Sequence, residues 1–246
     1  MKSSLEKRLL LLAMFFFPLL ASSQVKYMSN LRTDGGIAYN FFTGPDAADF
    51  RTSINGFGSG FLFDIFTGRY SLDLITVGSE TANLSLGVGL AINKYRFADN
   101  LVIGNENDQI VYEEDPDPDH DYVNTFFGYG KSKLVYSSVY FPLNLDVSLG
   151  PMHFSAGGFI DLYLSGKLKR KFKADGEKEV ELVKNEEFRD YPLNHTKYGV
   201  NALLMHKKSG VGMGFTYMIT PFFQEDHGPV MNETRISFVY KFSKFD

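Results

Sequence analysis

The sequence predicts an all-β fold, an eight-stranded antiparallel up-and-down transmembrane β-barrel. Three features carry that prediction: long segments that alternate apolar and polar residues, connections that alternate between short and long, and an N-terminal export segment with no other long apolar run behind it.

The stretch 133–166 sets the pattern. Read with period two, Val135, Val139, Phe141, Leu143, Leu145, Val147 and Leu149 fall on one face, and Tyr136, Ser138, Tyr140, Asn144, Asp146 and Ser148 on the other. Gly150-Pro151 punctuates the run, after which Phe154, Ile160, Leu162 and Leu164 stand opposite Ser155, Gly157, Phe159, Asp161, Tyr163 and Ser165. The two arms make a hairpin. Each has roughly ten alternating residues, which at ~3.3 Å per residue suits a tilted strand crossing hydrocarbon, whereas soluble strands centre on about 5–6 residues. Asp146 and Asp161 lie on the small polar face, as expected if that face meets a wet lumen and the apolar face meets lipid.

In chain order, residues 1–23 read as a signal peptide. Lys2, Lys7 and Arg8 precede an apolar run over 9–20, and Ala21-Ser22-Ser23 offers small residues for cleavage near Ser23-Gln24. The run is interrupted by Pro18 and falls short of the ~20 residues a spanning helix needs. Residues 24–55 form an N-terminal arm or an extra strand, with 36–43 as the strand candidate and Gly44-Pro45-Asp46 as a turn. The barrel is expected over 56–246. Its strands are 57–66, 70–77 and 84–97, the two hairpin arms, then 195–205, 211–223 and 233–242, with Thr67-Gly68-Arg69 as the first turn. Short links at Gly150-Pro151 and 206–210 alternate with long ones at 98–130, 167–193 and 224–232, the arrangement of barrels with short periplasmic turns and long external loops. Both termini then face the periplasm, and 36–43 is surplus.

Composition narrows the function classes. The chain has no cysteine, which excludes a disulfide framework, a thiol nucleophile and a lipid-modified cysteine. Cleavage of the signal peptide removes three basic residues and one acidic one, leaving 22 basic against 28 acidic and a net charge of −6, which argues against nucleic acid as a partner. The 24 Phe and 14 Tyr fit strand faces and interfacial girdles, and a mean hydropathy of −0.14 excludes a helical membrane bundle but not a barrel.

Several residues extend the reading to a family. A strand with an internal proline (Tyr140-Phe141-Pro142-Leu143), a tight turn, a glycine-rich strand (Ala156-Gly157-Gly158-Phe159) and the terminal Ile236-Ser237-Phe238-Val239-Tyr240-Lys241-Phe242 after Glu233-Thr234-Arg235 resemble the PorT-like outer-membrane β-barrel domain common in Bacteroidetes, over 57–242. The resemblance implies an eight-stranded outer-membrane barrel. PorT itself is associated with type IX secretion, and the family defines no catalytic residues to carry over.

Four groups of residues are candidate sites. In EEDPDPDHD, Asp115, Asp117, Asp119 and Asp121 recur at alternate positions and can gather around one Ca²⁺, although the absence of a turn glycine and the two prolines favour a solvated run. Lys167, Lys169, Arg170, Lys171 and Lys173 cluster where a strand leaves the outer leaflet and are candidate contacts for lipopolysaccharide phosphates; a solvated extension balanced by Glu177, Glu179, Glu181, Glu186 and Glu187 is the alternative. Asn144, Asp146, Asp161, Arg235 and Lys241 share the lumenal face and are expected to form a charge network, since an isolated buried ion costs several kcal/mol. His153 and Ser155 are the nearest thing to a base and nucleophile, but side chains two apart on a strand are about 7 Å from each other, too far to bond.

These readings converge on a non-catalytic integral outer-membrane protein with no cofactor, acting through its external loops in a structural, adhesive or secretion-accessory role. Its partners are outer-membrane lipid, lipopolysaccharide and envelope or secretion-system proteins. A soluble lipocalin-like barrel with an apolar ligand needs the faces reversed. A lipid-modifying outer-membrane enzyme needs a Ser/His pair in reach.

Overall fold

The alternating segments form antiparallel strands. A computed structural model describes residues 24–28, 31–35, 38–50, 52, 68–97, 101–117, 119–120, 131–184 and 186–240. Its strands are β1 (Gln24–Tyr27), β2 (Leu31–Gly35), β3 (Ala38–Thr43), β4 (Gly68–Gly78), β5 (Ala82–Arg96), β6 (Leu101–Glu106), β7 (Gln109–Glu114), β8 (Lys131–Leu149), β9 (Met152–Ala174), β10 (Glu177–Lys184), β11 (Thr196–His206), β12 (Val211–Met218) and β13 (Asn232–Tyr240), with a short helix α1 (Glu186–Arg189) after β10. The fold is all-β.

One antiparallel sheet runs in the order β1-β4-β5-β8-β9-β11-β12-β13-β3, with β2 also on β4 and β10 on β9; β6 and β7 form a separate hairpin. The two ends of this path belong to one stretch of chain. β2 pairs with β4 from Leu31↔Leu72 to Gly35↔Gly68, and β3, two residues later, pairs with β13 from Ala38↔Ser237 to Thr43↔Asn232. The sheet curls enough for side chains five strands apart on the path to meet: the Tyr95 hydroxyl of β5 donates to Glu233 of β13 at 2.5 Å.

Burial follows the alternation with an inverted sign. Along β8, Phe141, Leu143 and Leu145 are exposed while Tyr140, Asn144 and Asp146 are buried. On β9, Phe154, Ile160 and Leu162 are exposed and Ser155, Phe159 and Asp161 buried. The same holds for Leu86 and Leu90 against Ser85, Ala91 and Asn93 on β5, Val200 and Leu204 against Lys197 on β11, and Ile236 and Phe238 against Arg235 and Ser237 on β13. Hydrophobic burial alone would drive the opposite arrangement in water.

Register locates the irregularities. Gly150 takes φ +56°, which suits the first position of a two-residue hairpin turn and which Pro151 cannot adopt, so Leu149 faces Met152 and Ser148 faces His153. Ser137↔Ser165 is followed by Ser138↔Tyr163, leaving Leu164 as an extra residue. This bulge turns Ser165 outward, where its hydroxyl meets Ser137 Oγ at 2.8 Å, rather than inward as the unbroken alternation predicts.

Other expectations are corrected. The surplus segment 36–43 contains β3, a paired strand, while the expected strand 57–66 and the expected signal peptide at 1–23 lie outside the described residues. Gly68 and Arg69, expected in a turn, begin β4. β12 stops at Met218, since Ile219–Thr220 bend and Pro221 cannot donate to a ladder, so its strand is shorter than 211–223. The connections at 98–130 and 167–193 carry structure of their own: a β6–β7 hairpin turning at Asn107-Asp108, both at positive φ, and a continuation of β9 into a β9–β10 hairpin turning at Asp175-Gly176.

These connections fold over one end of the sheet. Phe42, Phe50, Tyr95, Tyr136, Phe188, Tyr191, Phe222 and Phe223 form the centre of a buried cluster there, joined by Leu101, Ile103 and Ile110 of the β6–β7 hairpin. Gly166 makes room for it: a Cβ at that position would lie 2.1 Å from Phe188 Cε1. The opposite end carries the short turns 79–81, 150–151 and 207–210.

Candidate functional site

The inner face is polar along its length and its charges are matched. Arg32, Arg69, Lys197 and Arg235 stand against Asp73, Asp146, Asp161 and Glu233 on strands β2, β4, β8, β9, β11 and β13, and of the eight only Arg32 has appreciable exposure. The charges gather at three levels.

Near the short turns, Arg32 is clamped between two carboxylates. Its Nε and Nη2 donate to Asp73 at 2.6 and 2.9 Å, and its Nη1 and Nη2 donate to Asp146 at 2.9 and 2.6 Å. Ser85 and Ser155 hydroxyls accept further bonds from the same guanidinium, so one side chain from β2 ties β4, β5, β8 and β9. The planar fork of arginine suits two bidentate partners; lysine could not replace it.

At mid-height, Arg69 Nη2 approaches Asp161 at 3.4 Å, with the guanidinium carbon 4.1 Å from the Phe159 ring centre and 5.2 Å from that of Tyr140. Two glycines allow this stack. A Cβ on Gly89 would lie 2.6 Å from the Tyr140 ring, and one on Gly199 would lie 2.3 Å from Phe159 Cζ. Beside it, a cavity of about 60 Å³ has Arg69, Ser71, Asn144 and Asn201 in its lining together with the apolar Leu203, Phe215 and Val239, and Asn201 donates to Asn144 Oδ1 at 3.1 Å.

Under the aromatic cluster, Glu233 collects donors from three other strands. Lys197 Nζ reaches it at 2.5 Å, and the hydroxyls of Tyr95 and Tyr136 also donate to it. Lys197 Nζ lies 3.9 Å from the Tyr136 ring centre and 4.9 Å from that of Phe222. The ion pair is thus solvated by aromatic faces and hydroxyls in place of water.

The short-turn end opens into a cavity of about 390 Å³ lined by Arg32, Glu80, Asn83, Asp146, Ser148 and His153 among others. There His153 Nε2 lies 3.3 Å from Asp146 Oδ1, and His153 Nδ1 lies 3.5 Å from Ser148 Oγ. A serine, a histidine and an aspartate are therefore adjacent, though not in the His153–Ser155 combination that the sequence suggests. Ser155 instead accepts from Arg32. The two-residue turn already fixes the 148–153 register, so this pairing was readable.

Of the expected lumenal network, Asn144, Asp146, Asp161 and Arg235 are all buried on the inner face, and each has a partner outside the expected set. Asp146 answers Arg32, Asp161 answers Arg69, Asn144 answers Asn201, and Arg235 donates to Asn40 Oδ1 at 3.4 Å. Lys241 lies outside the described residues. Sequence reading missed Arg32, Arg69, Asp73, Lys197 and Glu233, the partners that neutralise them.

Among the described residues, those of the acidic run included, no group of three or more His, Asp or Glu side chains is arranged to hold a metal. Asp115 accepts from Arg170 at 2.5 Å and contacts His120 Nδ1 at 2.8 Å, and Asp117 lies 3.3 Å from His120 Nε2. Asp119 is exposed, with its amide on Asp117, and Asp121 lies outside the described residues. The His120 ring stacks on Phe172 at 3.8 Å, so the run is pinned to β9. The hydrogen bond to Asp115 holds the imidazole above its ordinary pKa, helped by the charges of Asp115 and Asp117 and opposed by burial and Arg170.

Arg170 is thereby removed from the expected phosphate-binding cluster. It shares the inner face of the β9 extension with Leu168 and Phe172 and also meets Glu181 at 3.1 Å. Lys167, Lys169, Lys171 and Lys173 occupy the alternate, outer face. No protein-family model matches the chain, and no curated protein matches it.

Proposed function

We propose that this chain is an integral outer-membrane β-barrel of eight strands, PorT-like and non-catalytic, whose external loops serve envelope structure, adhesion or secretion. The inverted exposure carries the reading: a continuous outer face of Leu, Ile, Val and Phe surrounds buried, paired charges. In lipid this arrangement satisfies both faces, because the apolar side chains meet acyl chains while the charges pair inside, and a barrel closed through β2 and β3 would leave no strand edge in the hydrocarbon. A lipocalin-like soluble barrel would expose that apolar face to water and put charges where its ligand should sit.

Strand arithmetic supports the same reading. Taking β2 and β3 as one strand joined to β4 on one side and β13 on the other, the wall contains eight: β2–β3, β4, β5, β8, β9, β11, β12 and β13. β1 pairs with the end of β4 beside the turn at 79–81, and β13 ends opposite Val211 beside the turn at 207–210, so both chain ends described lie with the short turns. From Phe154 to Leu164 the exposed face of β9 runs ~33 Å along the strand, or about 25 Å in height at a 40° tilt, the thickness of an outer-membrane apolar band. An interior of eight strands is filled by side chains, in keeping with paired charges rather than a conduit.

The adjacency of Ser148, His153 and Asp146 at the 390 Å³ cavity supports a second reading, an acyl hydrolase at the periplasmic mouth. Against it, Asp146 is already committed to Arg32. Labelling of the folded protein by an alkyl fluorophosphonate, abolished by Ser148→Ala, would favour it.

The principal test is membrane fractionation followed by gel migration in detergent with and without boiling. Outer-membrane recovery with a heat-dependent mobility shift is expected. Recovery in a soluble fraction with one mobility would overturn the reading.

A further inference from the structure

The outer face of the β9 extension is cationic by register. Lys167, Lys169, Lys171 and Lys173 alternate along it, and antiparallel pairing sets Lys133 of β8 beside Lys169 and, on β10, Lys184 beside Lys167 and Lys178 beside Lys173. The acidic residues of β10 fall at the other positions. Glu179 pairs with Phe172 and Glu181 with Arg170, so both lie on the opposite face, where Glu181 bonds Arg170. Charges that look balanced along the sequence are thus sorted by strand alternation into a basic outer face and a mixed inner one.

Position gives this face an occupant. It continues the exposed apolar strip of β8 and β9, beginning three residues beyond Leu164 on the side away from the short turns. On the reading proposed above, that is the outer leaflet's polar boundary. From Lys167 to Lys173 the stripe rises ~20 Å along the strand, or about 15 Å in height at a 40° tilt. A phospholipid headgroup layer is only about 5–8 Å deep, by the difference between bilayer and hydrocarbon thickness. Cations over twice that depth match a lipid whose phosphates continue into a sugar core.

We propose that this lysine face binds a phosphorylated glycolipid of the outer leaflet, with Lys167, Lys169 and Lys184 nearest the lipid phosphates and Lys171, Lys173 and Lys178 reaching phosphates on the sugars. Lysine suits the role as a mobile point charge with three donors that can follow a heterogeneous headgroup. The proposal rests on the barrel reading.

The test uses the full mature chain, folded in detergent micelles, with wild type compared against Lys167→Gln/Lys169→Gln/Lys171→Gln/Lys173→Gln. Binding of purified bisphosphorylated lipid A bearing its phosphorylated core is measured by native mass spectrometry, alongside the same glycolipid dephosphorylated and an anionic phospholipid. Wild type is expected to retain the phosphorylated glycolipid at least about tenfold better than the variant, since each lysine near an anionic surface contributes on the order of a factor of five. Dephosphorylated glycolipid and phospholipid should bind wild type no better than the phosphorylated form binds the variant. Equal binding by both proteins, or equal binding of all three lipids, overturns the proposal. The heat-dependent mobility shift is run on both proteins: its absence in wild type removes the barrel reading and the proposal together, whereas its presence with unchanged lipid binding removes the proposal alone.

Discussion

Lys197 and Glu233 show how a charge pair can be buried under an aromatic roof: Glu233 accepts from Lys197 and from two tyrosine hydroxyls. Removing one partner should therefore cost more than removing both. Lys197→Met leaves Glu233 uncompensated and is expected to destabilise by ~3–5 kcal/mol, while adding Glu233→Gln should recover most of that loss. Urea unfolding of the reconstituted protein, followed by the heat-dependent gel shift, reads both; an unaffected Lys197→Met would show that the pair contributes nothing. His120 makes a second residue-scale prediction. Because its folded pKa is raised, its stabilisation of the loop against β9 is complete below the unfolded value of about 6.5 and is lost as pH rises through the folded one. Protease cleavage near 115–120 should accelerate on going from mildly acidic to mildly alkaline pH, and Asp115→Asn should flatten that dependence. Single residues were the least legible part of the sequence. Period two assigns Asp146 and Asp161 to the inner face, but nothing local says that Arg32 or Arg69 will meet them, because those contacts depend on curvature across the sheet.

Whole elements were better marked, where the marker was recognised. The β8–β9 hairpin follows from two clean alternations and a Gly-Pro turn, whereas β9–β10 carries an Asp175-Gly176 turn that the density of charge disguised as a loop. The strand at 36–43 is legible, but its place is not: β3 pairs with β13, about two hundred residues away, so only topology seats it in the sheet. The bulge at Leu164 is invisible in period-two reading and reverses every side chain beyond it: unbroken alternation would turn Lys167 and Lys169 inward and Arg170 outward, the opposite of what the register gives. The two faces of β8 can be tested against each other: Leu143→Arg, at a position paired with Gly158 near the middle of the apolar band, should cost ~2–4 kcal/mol, and Ser148→Arg, beside the open cavity, should be mild. Equal losses of folded protein on detergent gels would contradict the assignment of faces. Gly166→Val addresses the loop end. Its side chain would collide with Phe188, so cleavage within 175–195 should increase while the barrel's heat-dependent shift persists; unchanged cleavage would mean that Phe188 does not anchor that connection.

At the scale of the molecule, three arrangements depend on one another: an apolar exterior, an interior of matched charges, and a loop end filled by aromatics while the short-turn end stays open. On the reading proposed above, each follows from apolar surroundings of the strands. In water, the exposed Leu, Ile and Phe residues would be an aggregation surface and the buried ion pairs a cost without purpose. The most direct measurement is therefore residue-resolved labelling of the bilayer-reconstituted protein with a photoactivated carbene confined to the lipid phase, read by mass spectrometry. The account predicts modification at Phe141, Leu143, Leu145, Ile160 and Leu162, with Tyr140, Asn144, Asp146 and Asp161 between them untouched. Labelling of the second set, or none anywhere between 139 and 164, would contradict it.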